Sequence, residues 1–147
     1  MIELLNDDVK GQVKEALDQM QQPVQVLFFG PKDNCDFCYD AHQLAEEVCA
    51  LSDKLGLNIY DIQSDAVVAT QDHADKTPVL VIAVKDGEAI SDFGIRLAGI
   101  PAGHEFSLPI QDILLVSGRA SSLSDQTRKL LQWLKKPVNL QVFVTPI

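Results

Sequence analysis

Two of the chain's three cysteines, Cys35 and Cys38, stand in a C-x-x-C, a spacing that brings two sulfurs within bonding reach. Disulfide exchange needs an attacking thiolate and a second thiol to resolve the mixed intermediate, and this pair supplies both. A helical pattern begins near Asp36, so the motif opens a helix whose unpaired N–H groups point at the first sulfur. That field is expected to favour the Cys35 thiolate and lower its pKa. Lys32 adds to the effect, whereas Asp33 and Asp36 oppose it.

The competing reading of paired cysteines is a zinc site, which generally takes four ligands. His42 and Cys49 are the remaining candidates, and at about 100° per residue they share a helix face with Cys38. A rise of about 1.5 Å per residue, however, separates Cys38 from Cys49 by roughly 16 Å. One metal cannot bridge that distance, and neither can a disulfide, which needs Cα atoms within about 7 Å. Cys49 therefore reads as a packing residue and His42 as a solvent-facing residue or a local modulator. No metal is expected, and His104, at a helix start, is assigned no chemistry.

The elements that must position the pair follow from periodicity. Asn6, Asp7 and Asp8 can cap a helix carrying Val9, Val13, Ala16, Leu17 and Met20 on one face. Pro23 opens the buried strand VQVLFF, which Gly30-Pro31 ends just before the motif. The motif helix carries Ala41, Leu44, Ala45, Val48, Leu51 and Leu55, with Gly56 as its stop and a second strand at 57–63. A short polar helix falls within 64–76. VLVIAV after Thr77-Pro78 is apolar on both faces and reads as a central strand. Asp86-Gly87 signals a tight hairpin into a strand over 90–97. A helix over 104–116 follows, with Pro109 confined to its early turns. Parallel βαβ followed by an antiparallel hairpin and a closing helix makes a mixed four-stranded α/β sheet flanked by helices.

The last stretch stands outside that unit. A helix over 123–134 and a strand VNLQVFV at 138–144 repeat the opening phrase of helix, proline and strand, with Pro137 answering Pro23. Leu130, Leu131 and Leu134 answer Ala16, Leu17 and Met20. The expected organisation is a redox domain over 1–118 and, over 119–147, an extra helix and strand like the start of a second unit.

Composition excludes several classes. Over 147 residues, 21 acidic against 12 basic side chains give a net charge of −9, which would repel a nucleic-acid partner. Three cysteines are too few for a secreted disulfide scaffold. The opening MIELLNDDVK is acidic where a signal peptide would be basic, and no apolar run reaches membrane-spanning length. A cytoplasmic, reduced-compartment protein without membrane contact is expected.

KDNCDFC at 32–38, Thr77-Pro78, FGIRLAGIPAGHEF at 93–106 and VNLQVFVTP at 138–146 together resemble thioredoxin-fold proteins. The likeness is narrower to the glutaredoxin-like protein disulfide oxidoreductases of thermophiles, built from two tandem thioredoxin units. It extends to the N-terminal domain of the flavoprotein subunit of alkyl hydroperoxide reductase, which shares that plan. The resemblance implies a cis bond at Thr77-Pro78 beside the cysteines, although an X–Pro bond is cis only about 5–6% of the time. It further implies that the Thr77 backbone pairs with a substrate chain while Pro78 leaves the sulfur unobstructed. The turn at Gly99-Ile100 makes a third wall of the groove, and Asn34 and Phe37 join the substrate-contacting set. The departures are also clear. There is no second C-x-x-C, W-C-G-P-C is absent, and the strand over 24–29 holds no acidic residue to accept a proton.

The leading expectation is a dithiol–disulfide oxidoreductase acting on protein substrates, in which Cys35 attacks, Cys38 resolves, and no metal or organic cofactor takes part. One alternative is an electron relay between a flavoprotein reductase and a peroxiredoxin. The other is a non-catalytic truncated repeat, serving as a binding module or a homodimer through 138–144.

Overall fold

β1 (Val24–Gly30) is buried along its whole length because its side chains alternate between two apolar layers. Val24, Val26 and Phe28 enter one core, and Leu27 and Phe29 enter the other. A computed structural model of the chain describes residues 3–31, 35, 37–71, 74, 76–99 and 106–145. In it, β1 runs parallel to β2 (Leu55–Asp61) and antiparallel to β3 (Val79–Asp86). β3 pairs antiparallel with β4 (Ala89–Ala98), giving the strand order β2-β1-β3-β4. The two interior strands are those whose sequences are apolar on both faces, as expected.

Helices α1 (Asp7–Leu17), α2 (Cys38–Cys49) and α4 (Ser107–Ser117) cover the face bearing Val26, Phe28, Leu80 and Ile82. Val13, Leu17, Leu44, Val48, Ile110 and Ile113 supply their share of that core. The opposite face is covered by α3 (Ala66–Gln71), through Ala69, and by Ala74. Asn6 caps α1, its side chain accepting the Val9 N–H at 2.9 Å, and Pro109 falls in the first turn of α4. The β3–β4 hairpin turns at Gly87, whose φ of +61° is the left-handed conformation glycine adopts without strain.

Two expected boundaries move. α2 closes at Cys49 rather than reaching Leu55, because the chain turns at Leu51–Lys54, where the Ser52 hydroxyl accepts the Lys54 N–H. β2 then begins at Leu55, two residues earlier than expected. Gly56 is not a helix stop but a strand residue facing β1, where a Cβ would collide with the buried Gln25 amide.

α4 is fastened to the segment entering β1. The Ser117 hydroxyl, fully buried, accepts the N–H groups of Gln21 (2.8 Å) and Gln22 (3.0 Å) and donates to the Gln22 carbonyl at 2.8 Å. Arg119 follows with φ +55° and directs its guanidinium to the carbonyls of Val116, Pro23 and Lys85.

The tail departs from expectation. α5 (Asp125–Leu131) forms where a helix was expected and is capped by Ser124, but it buries no residue. Residues 138–144 form no strand and join no sheet. A strand exists where its N–H and C=O groups meet a partner ladder, and this segment meets none among the described residues.

Candidate functional site

The ends of the strands determine where the site lies. β1 and β2 end together, with Gly30 beside Asp61, while β3 begins and β4 ends at the same edge. The chain leaves β1 at Gly30-Pro31, passes Cys35 and enters α2 at Cys38, so the cysteines sit outside the carboxyl end of a central strand. That is where open α/β sheets place their ligands.

Cys35 and Cys38 form a disulfide, with Cα atoms 5.4 Å apart. Cys38 N–H donates to the Cys35 carbonyl at 3.4 Å, so the motif itself makes the turn that starts α2. The two sulfurs are unequal. Cys38 is buried against the core, whereas Cys35 is half-buried at its margin. Gly30 lies behind them, and a Cβ there would come within 3.2 Å of the Cys38 sulfur. Phe37 stands exposed on the turn between the cysteines.

The pair opens onto a cleft of about 420 Å³ on the β2 side, which Phe28, Pro31, Tyr39, His42, Tyr60 and Asp65 also line. Sequence reasoning missed this wall. The usable signal was the parallel pairing of β1 and β2, which places whatever follows β2 beside whatever follows β1. Placing β2 at 57–63 put Tyr60 and Asp61 in mid-strand, whereas they end it beside Gly30.

The other predicted residues lie on the β3 side of the same sheet edge. The Thr77–Pro78 bond is cis, as the resemblance implies, with Pro78 buried and Thr77 exposed. Gly99, at φ +92°, donates its N–H to the Pro78 carbonyl at 2.8 Å, tying the end of β4 to the start of β3. Asn34, Ile100 and His104 lie outside the described residues, as do Lys32, Asp33 and Asp36.

Cys49 is the remaining thiol, and burial pushes it up to about 12. It packs against the core as expected, and that burial disfavours its thiolate. Among the described residues no cluster of three or more metal-ligating side chains occurs, and no helix is long and apolar enough to cross a membrane.

No family model matches the chain. It is 31% identical over 131 residues to the alkyl hydroperoxide reductase protein AhpF of Staphylococcus aureus, covering 86% of this chain and 22% of that protein. It is 24% identical over 140 residues to AhpF of Pseudomonas putida, covering 95% and 24%. The chain thus spans under a quarter of the length of the curated relatives it matches. Among solved structures, a protein disulfide oxidoreductase from Aeropyrum pernix superposes with a TM-score of 0.76 at 28% identity, over 88% of this chain and 55% of that one. The N-terminal domain of Enterococcus faecalis AhpF superposes at 0.75 with 18% identity, over 85% and 58%, a likeness of fold. The chain has the thioredoxin fold, with Cys35 and Cys38 joined at the head of α2, and is similar in sequence to part of AhpF and in structure to a protein disulfide oxidoreductase.

Proposed function

We propose that this chain is a thiol–disulfide oxidoreductase that exchanges its Cys35–Cys38 pair with disulfides or dithiols of protein partners. The observation that carries the reading is the disulfide at the head of α2, with a half-buried first sulfur and a buried second one. Cys35 is the sulfur a partner can reach, and Cys38 is placed to resolve. Thr77, Pro78 and Gly99 form the wall on the β3 side, along which a partner's extended chain lies against the Thr77 backbone. Phe37, exposed on the turn, adds to that contact, and the resemblance assigns Asn34 and Ile100 to it as well. Neither metal nor organic cofactor takes part, and the pair works in the cytoplasm, where such dithiols are kept cycling.

Within that class, the kinship with AhpF favours an electron relay between a flavoprotein reductase and a peroxiredoxin. Insulin reduction coupled to dithiothreitol tests the class: Cys35→Ser abolishes it. Turnover supported by an alkyl hydroperoxide reductase flavoprotein, but not by glutathione, supports the relay. Equal turnover with glutathione contradicts it.

A second reading concerns the tail. Trp133, Leu134, Val138, Leu140, Val142 and Phe143 are exposed together, an apolar stretch of the kind that pairs with another chain. In this reading 1–118 is the redox domain, and 119–147 is the start of a second unit that joins two copies through 138–144. Sedimentation over a concentration series tests it, a monomer throughout being the contrary result.

A further inference from the structure

Resolving a mixed disulfide requires the Cys38 thiol to give up its proton, and Cys38 is only 7% exposed. Some group in the cleft must take that proton, and β1 offers no carboxylate. The titratable candidates lining the cleft are Tyr39, His42, Tyr60, Asp61 and Asp65. Both carboxylates already hold the turn into α3. Asp61 Oδ1 accepts the N–H groups of Gln63 and Ser64 and the Ser64 hydroxyl, and Asp65 Oδ2 accepts the Asp61 N–H. The phenols of Tyr39 and Tyr60 take up no proton at neutral pH.

His42 differs. It stands four residues after Cys38 on α2, so their Cβ atoms are neighbours about 6 Å apart on one face. Its ring packs against Phe28, with centroids 5.4 Å apart. Its Nε2 is shielded from solvent and makes no hydrogen bond, although Glu46 Oε1 stands 3.3 Å away. The side chain as a whole is 32% exposed, which gives the proton a way out.

We propose that His42 is the proton acceptor for the Cys38 thiol, in place of the missing strand carboxylate. As Cys38 attacks, its S–H proton passes to the His42 imidazole and the Cys38–Cys35 bond forms. The bond between Cys35 and the partner breaks, and its electron pair leaves on the partner's sulfur. The pair is oxidised and the partner reduced. In the opposite direction the imidazolium returns its proton to the departing Cys38 thiolate.

This inference rests on the exchange chemistry proposed above. The test separates the two by mixing the reduced protein with Ellman's reagent in a stopped-flow instrument. Attack by Cys35 releases one thionitrobenzoate and resolution by Cys38 a second. His42→Gln is expected to slow the second release by at least about 10-fold at neutral pH, leaving the first at its original rate. Added imidazole restores the second release, and the variant's pH profile for that phase loses one inflection. A second release that His42→Gln leaves unchanged overturns the inference. So does one slowed without imidazole rescue and with its pH profile intact. Failure of the unaltered protein to release the first thionitrobenzoate overturns the exchange reading, and this inference with it.

Discussion

β1 and residues 138–144 open with the same phrase, a helix followed by proline and an apolar run, yet one is core and the other surface. Phe29 is 0% exposed and Phe143 89% exposed. β1 has a parallel partner on one edge, an antiparallel one on the other, and helices on both faces. The segment at 138–144 has none of these within the described chain. An apolar β-prone run is therefore a request for neighbours, and it becomes a strand only where the fold supplies them. The same holds for the helices. Leu17 in α1 is buried in the core that α4 shares, while Leu131 in α5 is exposed.

The largest expected effect tests β1 itself. Phe29→Ala leaves a cavity in a fully buried position and should cost about 3–5 kcal/mol in urea unfolding. An effect below about 1 kcal/mol would mean that the second layer beneath α3 is not packed as described.

Ser117→Ala addresses what holds β1 in place. It strips the acceptor from the Gln21 and Gln22 N–H groups, and the expected loss is about 2 kcal/mol. Ser117→Thr, which retains the hydroxyl, distinguishes lost hydrogen bonds from lost packing by losing less.

Smaller still is the clasp between the segment before α1 and α2, made by Glu47. Burial pushes its carboxyl up. The N–H of Leu4, the Gln43 amide, the N–H of Leu5 and the charge on Lys10 outweigh that and bring it below its ordinary 4.5. A carboxyl lowered on folding stabilises fully above its unfolded value and loses that contribution as pH falls through the folded one. Glu47→Gln should therefore cost about 1 kcal/mol at pH 7 and progressively less as pH falls below 4.5. A pH-independent difference would contradict the clasp.

The smallest effect lies in the tail. Phe143→Ala should change the stability of the folded unit by no more than about 0.5 kcal/mol. Val142→Asp should leave it equally unmoved while abolishing any self-association through 138–144.

Much of this architecture was legible because it rests on local signals. The two-sided apolar runs became β1 and β3, Asp86-Gly87 became the hairpin, and Asn6 became the cap of α1. Cys35 and Cys38 were readable for the same reason, a fixed spacing at the head of a helix. What stayed hidden depends on partners distant in sequence. Gly56 looked like a helix stop because the Gln25 amide that demands a glycine there belongs to another strand. The cis state of Thr77–Pro78 followed from resemblance, never from the dipeptide. Ser117 gave no sign of fastening a segment some hundred residues away. His42 read as a solvent-facing residue or a local modulator, and its place in the cleft showed only when β2 supplied the opposite wall.

The central claim is that Cys35 attacks and Cys38 resolves, and trapping tests it most directly. The Cys38→Ser protein, incubated with a disulfide-bonded protein substrate and analysed by non-reducing electrophoresis with mass spectrometry, should accumulate a mixed disulfide through Cys35. The Cys35→Ser protein should form none and reduce no insulin. Turnover that survives Cys35→Ser, or a mixed disulfide that forms through Cys38 instead, would contradict the account.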